Sequence, residues 1–151
     1  MRPMLSPAHP SLRTPVPDGL RAHRDRVRRW GLLVGLAVPA VMGGFGALLL
    51  RGSETPWRGI PGFALAVMAV PTLPLSGIPA AAGTWRWVLA IGSSLLLWSV
   101  VGVVATRRAL TRVATGWPEW RREWLPLAIG VWLGALAALG IAGVAMSLDL
   151  V

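Results

Sequence analysis

Glu119 and Glu123 are four residues apart, so on a helix their carboxylates share one face and are able to hold a metal ion together. Arg121 and Arg122 lie between them, and positive charge at that position favours ion pairing over metal binding. We therefore interpret the pair as part of a charge-balanced, solvated face and predict no metal site.

The other groups able to perform acid, base or nucleophilic chemistry lie outside the apolar parts of the chain. The remaining acidic residues and the histidines are Asp18, Asp25, Glu54, Asp149, His9 and His23. Intramembrane proteases, ion-coupled carriers and proton relays require an ionisable group at membrane depth. The sequence has no cysteine, no phosphate-cradling loop, no HExxH motif and no nucleophile elbow. We expect no catalytic residue and no cofactor, and we expect that the protein is not an enzyme acting alone.

The elements around these residues are three apolar blocks, each free of ionisable side chains: 30–50, 87–105 and 125–148. Each reaches or exceeds the roughly 18 residues that indicate a membrane helix. Mean hydropathy is +0.61, and 54% of residues are hydrophobic. Helices around a soluble core would need polar faces, which these blocks lack. The sequence predicts an all-α integral membrane protein with three firm transmembrane helices.

A fourth apolar segment, 60–83, is ambiguous. It has no charge and is apolar enough to span, but it contains Pro61, Pro71, Pro74 and Pro79. Proline removes a backbone donor and clashes with the preceding turn, so this segment is either a fourth span or a proline-broken re-entrant element.

The arginines favour the re-entrant alternative. All fifteen basic residues are arginine and all lie outside the three blocks. With four spans and an inner N-terminus, eight arginines face the cytoplasm and seven face out; with three spans the division is twelve and three. Only the second follows the positive-inside rule. We expect a multi-pass plasma-membrane protein with a cytoplasmic N-terminus, a short helix near 62–70 and a turn over 71–79.

The N-terminal region divides into a proline-rich tail, 1–17, and a basic juxtamembrane helix, 18–29. The tail has too few bulky apolar groups to offset the entropy of ordering, so we predict disorder. The arginines of the helix suit an anionic lipid surface at the cytoplasmic face. Nucleic acid binding is disfavoured, because no aromatic interleaving or fold motif accompanies them.

The stretch 106–124 is predicted to be a cytoplasmic loop that contains an interfacial helix. Trp117, Trp120 and Trp124 share one helical face, and tryptophan prefers the membrane boundary. The arginines expected at the same boundary are Arg107, Arg108, Arg112, Arg121 and Arg122.

Two rows of small residues predict close helix packing. One comprises Gly31, Gly35 and Gly43 together with Pro39, and the other comprises Gly130, Gly134, Ala138 and Ala142. Small residues let helix backbones approach, which drives association in lipid, although the partner helix is either internal or from another protein. Ser93, Ser94 and Ser99 lie within the block 87–105 and are expected to bond carbonyls or neighbouring helices; a serine-lined substrate path is the alternative.

These features predict a non-catalytic accessory or scaffold subunit that packs with other membrane helices, as a homo- or hetero-oligomer. The alternative is a small transporter or pore-forming subunit that uses segment 60–83. A weaker third interpretation is a membrane anchor for nucleic acid through the arginine tail.

Overall fold

A computed structural model describes residues 19–51, 56–76, 83–112 and 115–148. Within these ranges the chain is helical and has no strand. The helices are α1 (Gly19–Leu50), α2 (Pro56–Ala69), α3 (Thr84–Leu110) and α4 (Trp117–Leu148), with a 3₁₀ helix over Pro74–Ser76. The predicted all-α class is confirmed. The proline-rich tail 1–17 lies outside the described residues.

Three of the helices, α1, α3 and α4, are long and apolar enough to cross a membrane. They contain the three apolar blocks recognised in the sequence, so the three predicted membrane helices are confirmed as elements. At about 1.5 Å per residue, the 27 residues of α3 extend roughly 40 Å, which exceeds the hydrocarbon thickness of about 30 Å.

Helix α1 joins the basic residues 19–29 and the apolar block 30–50 into one continuous helix. Its basic part packs against the bundle, because Val27 is fully buried in a core cluster with Ala105, Ala109 and Trp120. Arg24 also donates a hydrogen bond to the Leu110 carbonyl at the C-terminal end of α3, at 3.2 Å. A cation at a helix C-terminus is favourable for the exposed carbonyls and for the helix dipole.

Helices α1 and α3 are antiparallel and approach closely through glycines. Gly31 lies beside Thr106, and Gly35 lies beside Gly102, so the order of contacts reverses along α3. A methyl group at Gly35 would lie 3.3 Å from the Gly102 Cα. The two backbones are in near contact at the end of the bundle that contains the N-terminus of α1.

Helix α2 packs against the other half of α1. Gly62 lies beside Leu50, and Ala69 lies beside Gly43, so α2 is antiparallel to α1. After α2 the chain turns, and the Ser76 carbonyl accepts a hydrogen bond from Arg86 near the start of α3, at 3.3 Å. The C-terminal end of α1 and the N-terminal end of α3 lie at the same end of the bundle. The segment from α2 to the 3₁₀ helix therefore starts and finishes at that end.

Helix α4 begins at Trp117 and continues through Pro126 to Leu148. This differs from the predicted division into an interfacial helix within 106–124 and a separate span over 125–148. Pro118 lies in the first turn, where a missing backbone N–H costs nothing. The aromatic face before Pro126 packs on α1 and α3, and this packing keeps the residues before the proline in line with the span.

Candidate functional site

The backbone becomes irregular directly after α2, at residues 70–73, and we call this turn the α2 break. Pro71 has no N–H, and the helix ends at Ala69. The Ala69 carbonyl accepts a hydrogen bond from Trp98 Nε1 at 3.0 Å. Trp98 itself is 1% exposed, so this bond is fully shielded. A side chain from α3 thus replaces a bond that a continuous helix would make with its own backbone.

Three hydroxyl groups, those of Thr72, Ser93 and Ser94, connect the turn after α2 to α3. Thr72 Oγ1 donates to the Ala90 carbonyl at 2.8 Å and lies 2.8 Å from the hydroxyl of the buried Ser94. The Thr72 amide lies 3.4 Å from the same Ser94 hydroxyl. Ser93 Oγ is 2.9 Å from Thr72 Oγ1. The exposed backbone left by the break is therefore bonded to α3, which is the condition for irregular backbone inside an apolar bundle.

Of the three predicted serines, two bond their own helix. Ser93 Oγ donates to the Leu89 carbonyl at 2.6 Å, and Ser99 Oγ donates to the Leu95 carbonyl at 2.7 Å. Ser94 instead serves the α2 break. The expected bonding to carbonyls and neighbouring elements accounts for all of them.

A cavity of about 400 Å³ lies beside the break. Its floor is formed by buried residues, among them Pro39, Ala69 and Trp98, and its sides are the exposed edges of α1 and α3. Ser94 is the one lining residue with a polar side chain other than the indoles, and its hydroxyl is already bonded to Thr72. The cavity is chemically suited to apolar groups and offers nothing to an ion.

Five indoles form a continuous tryptophan stack, which comprises Trp98, Trp117, Trp120, Trp124 and Trp132. Trp120 and Trp124 are stacked, with ring centroids 5.8 Å apart and planes 17° apart. Trp124 is also stacked on Trp98, at 6.0 Å, which ties α4 to α3. Aromatic pairs of this kind contribute about 0.5–1.5 kcal/mol each beyond their buried area.

The stack contains the three tryptophans that were predicted for the membrane boundary. Trp120 and Trp124 are 4% and 5% exposed, so their indoles pack against α1 and α3 and do not face lipid. Trp120 Nε1 donates to Thr106 Oγ1 at 3.0 Å. Trp117 is half-buried and packs edge-on against Trp120. The aromatic face that the spacing predicts covers neighbouring helices, because α1 and α3 present glycines and Thr106 to it.

The arginines predicted for the boundary are all exposed: Arg107, Arg108, Arg112, Arg121 and Arg122. Arg112 makes an ion pair with Glu123. The described residues contain no group of three or more potential metal ligands. The chemistry of this end is that of a solvated, cationic surface.

The two small-residue rows have different surroundings. A methyl group placed on Gly31, Gly35 or Gly43 would lie within 4 Å of atoms from other helices. A methyl group on Gly130 or Gly134 would meet no such neighbour among the described residues. Ala138 and Ala142 are half-buried. The predicted packing residues on α1 are thus in contact within the chain, whereas the glycines on α4 are open.

Thr72, Trp98 and Trp132 belong to these sites but were not singled out from the sequence. Trp98 carried a usable signal, since tryptophan prefers the membrane boundary and Trp98 lies inside an apolar block. An indole N–H at that depth needs an acceptor, and a broken helix supplies one. Thr72 had no comparable signal, because a threonine between prolines also fits an ordinary turn.

No significant similarity was found between this chain and any protein family, curated protein or solved structure.

Proposed function

We propose that the protein is a non-catalytic membrane subunit that binds a helix of another protein through the outward face of α4. The observation that carries the proposal is that a methyl group added to Gly130 or Gly134 would meet nothing within 4 Å among the described residues, apart from the helix's own backbone. Of the three long helices, α4 has the smallest buried share of its apolar window, 11%. Small residues at a helix surface are the usual means of close helix contact in lipid.

The proposed binding face is a line of exposed residues along α4 that differs from the four-residue row 130, 134, 138 and 142 in its second half. A helix turns 100° per residue, so a repeat of four advances about 40° too far at each step. Gly130 and Gly134 are exposed, but Ala138 and Ala142 have rotated toward the bundle. The exposed line that continues from the glycines passes through Ala137, Ile141 and Val144, spaced alternately by three and four.

The orientation belongs to the same proposal. At one end of the bundle lie the basic part of α1, the C-terminus of α3 and the N-terminus of α4, and they carry ten arginines in the described residues. Three arginines, Arg51, Arg58 and Arg86, lie at the other end. This asymmetry supports a cytoplasmic position for the N-terminus in the plasma membrane, and anionic lipid as the surface that the ten arginines meet. It also supports α2 as a re-entrant element that enters from outside.

A small transporter or pore-forming subunit is the second candidate, favoured by the broken backbone after α2, because such breaks often line a substrate route. The hydroxyls at this break are engaged with one another, and the neighbouring cavity is apolar. A polar substrate would find no free ligand there. The accessory subunit is the better supported of the two.

The test is site-specific photo-crosslinking in native membranes. A benzophenone amino acid at Ala137 should crosslink to a protein, whereas the same group at Leu136, about 100° around the helix, should reach lipid only. Gly134→Leu should reduce the crosslink at position 137 about tenfold, because a bulky side chain separates the helices. Gly143→Leu is the matched control, since Gly143 is also open but faces another side of α4. Equal crosslinking in both variants, or lipid adducts alone at position 137, would contradict the proposal.

A further inference from the structure

The cavity beside the α2 break opens sideways between α1 and α3. These two helices are in near contact at Gly35 and Gly102, whereas further along α1, at Gly43 and Gly46, the neighbouring helix is α2. The lining residues on α1 that are exposed include Ala40, Ala47 and Leu50, and on α3 Ile91 and Leu95. The opening therefore lies on the lateral surface of two membrane-crossing helices, where an apolar molecule enters directly from lipid.

The dimensions of the cavity fit one extended hydrocarbon chain. It reaches along α1 from Leu36 to Leu50. At about 1.5 Å per residue that distance is roughly 21 Å, most of the thickness of half a bilayer with its interface. The volume of about 400 Å³ lies in the range of small-molecule sites, roughly 300–1,000 Å³. A narrow apolar slot of this length suits an acyl chain better than a compact ligand.

The mouth of the slot is cationic. Leu50 and Trp87 line its end, and their neighbours in the chain are Arg51 and Arg86, both exposed. Between residues 51 and 86 the sequence holds three arginines against one acidic residue, Glu54. This end of the bundle has only three arginines in the described residues, and two of them, Arg51 and Arg86, directly adjoin residues that line the slot. Their position therefore favours a negatively charged group at the mouth of the slot. Guanidinium groups bind phosphate oxygens with paired hydrogen bonds.

We propose that this slot is a specific site for one anionic phospholipid, with an acyl chain between α1 and α3 and the phosphate between Arg51 and Arg86. The lipid covers the exposed edges of the slot and holds α2 against the bundle from the lateral side. This site is distinct from the outward face of α4 and does not depend on a protein partner there.

The binding experiment uses the full-length protein, stripped of loosely held lipid in mild detergent and mixed with equal amounts of phosphatidylglycerol and phosphatidylcholine that carry the same acyl chains. Native mass spectrometry then counts the lipids retained. One phosphatidylglycerol per protein is expected. Glycerol phosphate or inorganic phosphate at millimolar concentration should not displace it, because the acyl chain supplies much of the binding. No retained lipid, or equal retention of both lipids, would overturn the proposal and indicate annular lipid only.

Variants separate the slot from the headgroup contact. Ala47→Phe fills the slot from the α1 side and should abolish retention. Ala37→Phe is the matched control on an exposed position of α1 that does not line the slot. Ile91→Trp fills the slot from α3, so that misfolding of one variant does not decide the result. Loss with Ala37→Phe as well, or full retention with both filling variants, would refute a specific site.

The double variant Arg51→Gln/Arg86→Gln should lower the preference for phosphatidylglycerol over phosphatidylcholine by about tenfold or more. Arg107→Gln/Arg108→Gln, at the opposite end of α3, is the matched control: these arginines meet the general anionic surface, so the one tightly retained phosphatidylglycerol should remain. An unchanged preference in the first variant would show that these arginines do not hold the headgroup, and the proposal would fall.

Discussion

Helices α1 and α4 carry similar rows of small residues, yet one row is covered and the other is open. Along α1, Gly31 and Gly35 meet α3 and the tryptophan stack, and Gly43 meets α2. Along α4, Gly130 and Gly134 have no neighbour within 4 Å in the described part of the chain. The same kind of sequence pattern therefore has two kinds of surroundings: the row on α1 is packed against α2, α3 and the tryptophan stack, whereas the glycines on α4 are open, and we propose that they serve association outside the bundle. A small-residue row indicates close packing but does not identify the partner.

The largest expected effect is at the centre of the covered row. In Gly35→Leu the new side chain meets the Gly102 backbone and the Trp124 indole, both at 3.3 Å from its first carbon. Backbone cannot yield as a flexible side chain does, so we expect a loss of about 3 kcal/mol in the free energy of unfolding, at the upper end of the usual cost of overpacking. Unfolding in SDS titrations, followed by tryptophan emission, measures it. Gly44→Leu on the same helix, with no neighbour within 4 Å, should unfold like the wild type.

The second effect concerns how α2 is held over Gly43. Trp98→Phe removes the hydrogen bond to the Ala69 carbonyl and leaves that acceptor buried, which costs about 1–3 kcal/mol. Hydrogen exchange at the end of α2 should increase accordingly, while α4 is affected less. Trp30→Phe is the control, since Trp30 is 55% exposed. If both variants exchange alike, the indole does not hold the break.

A smaller effect is expected where α4 itself meets α3. Thr106→Val removes the acceptor of the Trp120 indole and should lower the free energy of unfolding by about 1 kcal/mol. Ser99→Ala removes only a bond within α3, to the Leu95 carbonyl, and should change it by less. The same SDS titration compares the two. Equal losses would mean that the interhelical bond contributes no more than the local one.

The smallest effect is expected on the open row. Gly130→Ala adds a methyl group that meets nothing within 4 Å, and alanine favours the helix by up to about 1 kcal/mol over glycine. The monomer should therefore unfold at the same or slightly higher SDS fraction. Gly31→Ala, whose methyl group would lie 2.5 Å from Thr106 Oγ1, should instead be destabilised. A clear loss in Gly130→Ala would mean that the row on α4 is covered within the chain.

The membrane helices could be predicted because the signal is additive: about twenty apolar residues without charge cross a bilayer whatever they touch. The surroundings of Trp120 and Trp124 could not. Their spacing marks an aromatic face equally well for a lipid boundary or for a neighbouring helix, and the decision depends on Gly35, Thr106 and Gly102, which are distant in the sequence.

The sites around α2 were predictable only in part. Pro71 predicts that a helix ends close to it, and α2 ends at Ala69. Which groups replace the lost bonds depends on the alignment of α2 with α3, and the sequence alone does not specify that alignment. The roles of Trp98 and Ser94 as partners of Ala69 and Thr72 can therefore be identified only when the relative position of the two helices is known.

The break after α2 also has a consequence for the order in which the chain is built. During synthesis Ala69 and Thr72 are made before Ala90, Ser94 and Trp98, the residues that satisfy them. Ala90 and Ser94, the partners of Thr72, follow it by 18 and 22 residues, and Trp98, the partner of Ala69, follows it by 29. A nascent chain that stops before Trp98 therefore lacks the donor that bonds the Ala69 carbonyl in the finished structure. The bonds that close the turn after α2 thus form only once α3 has been synthesised as far as Trp98.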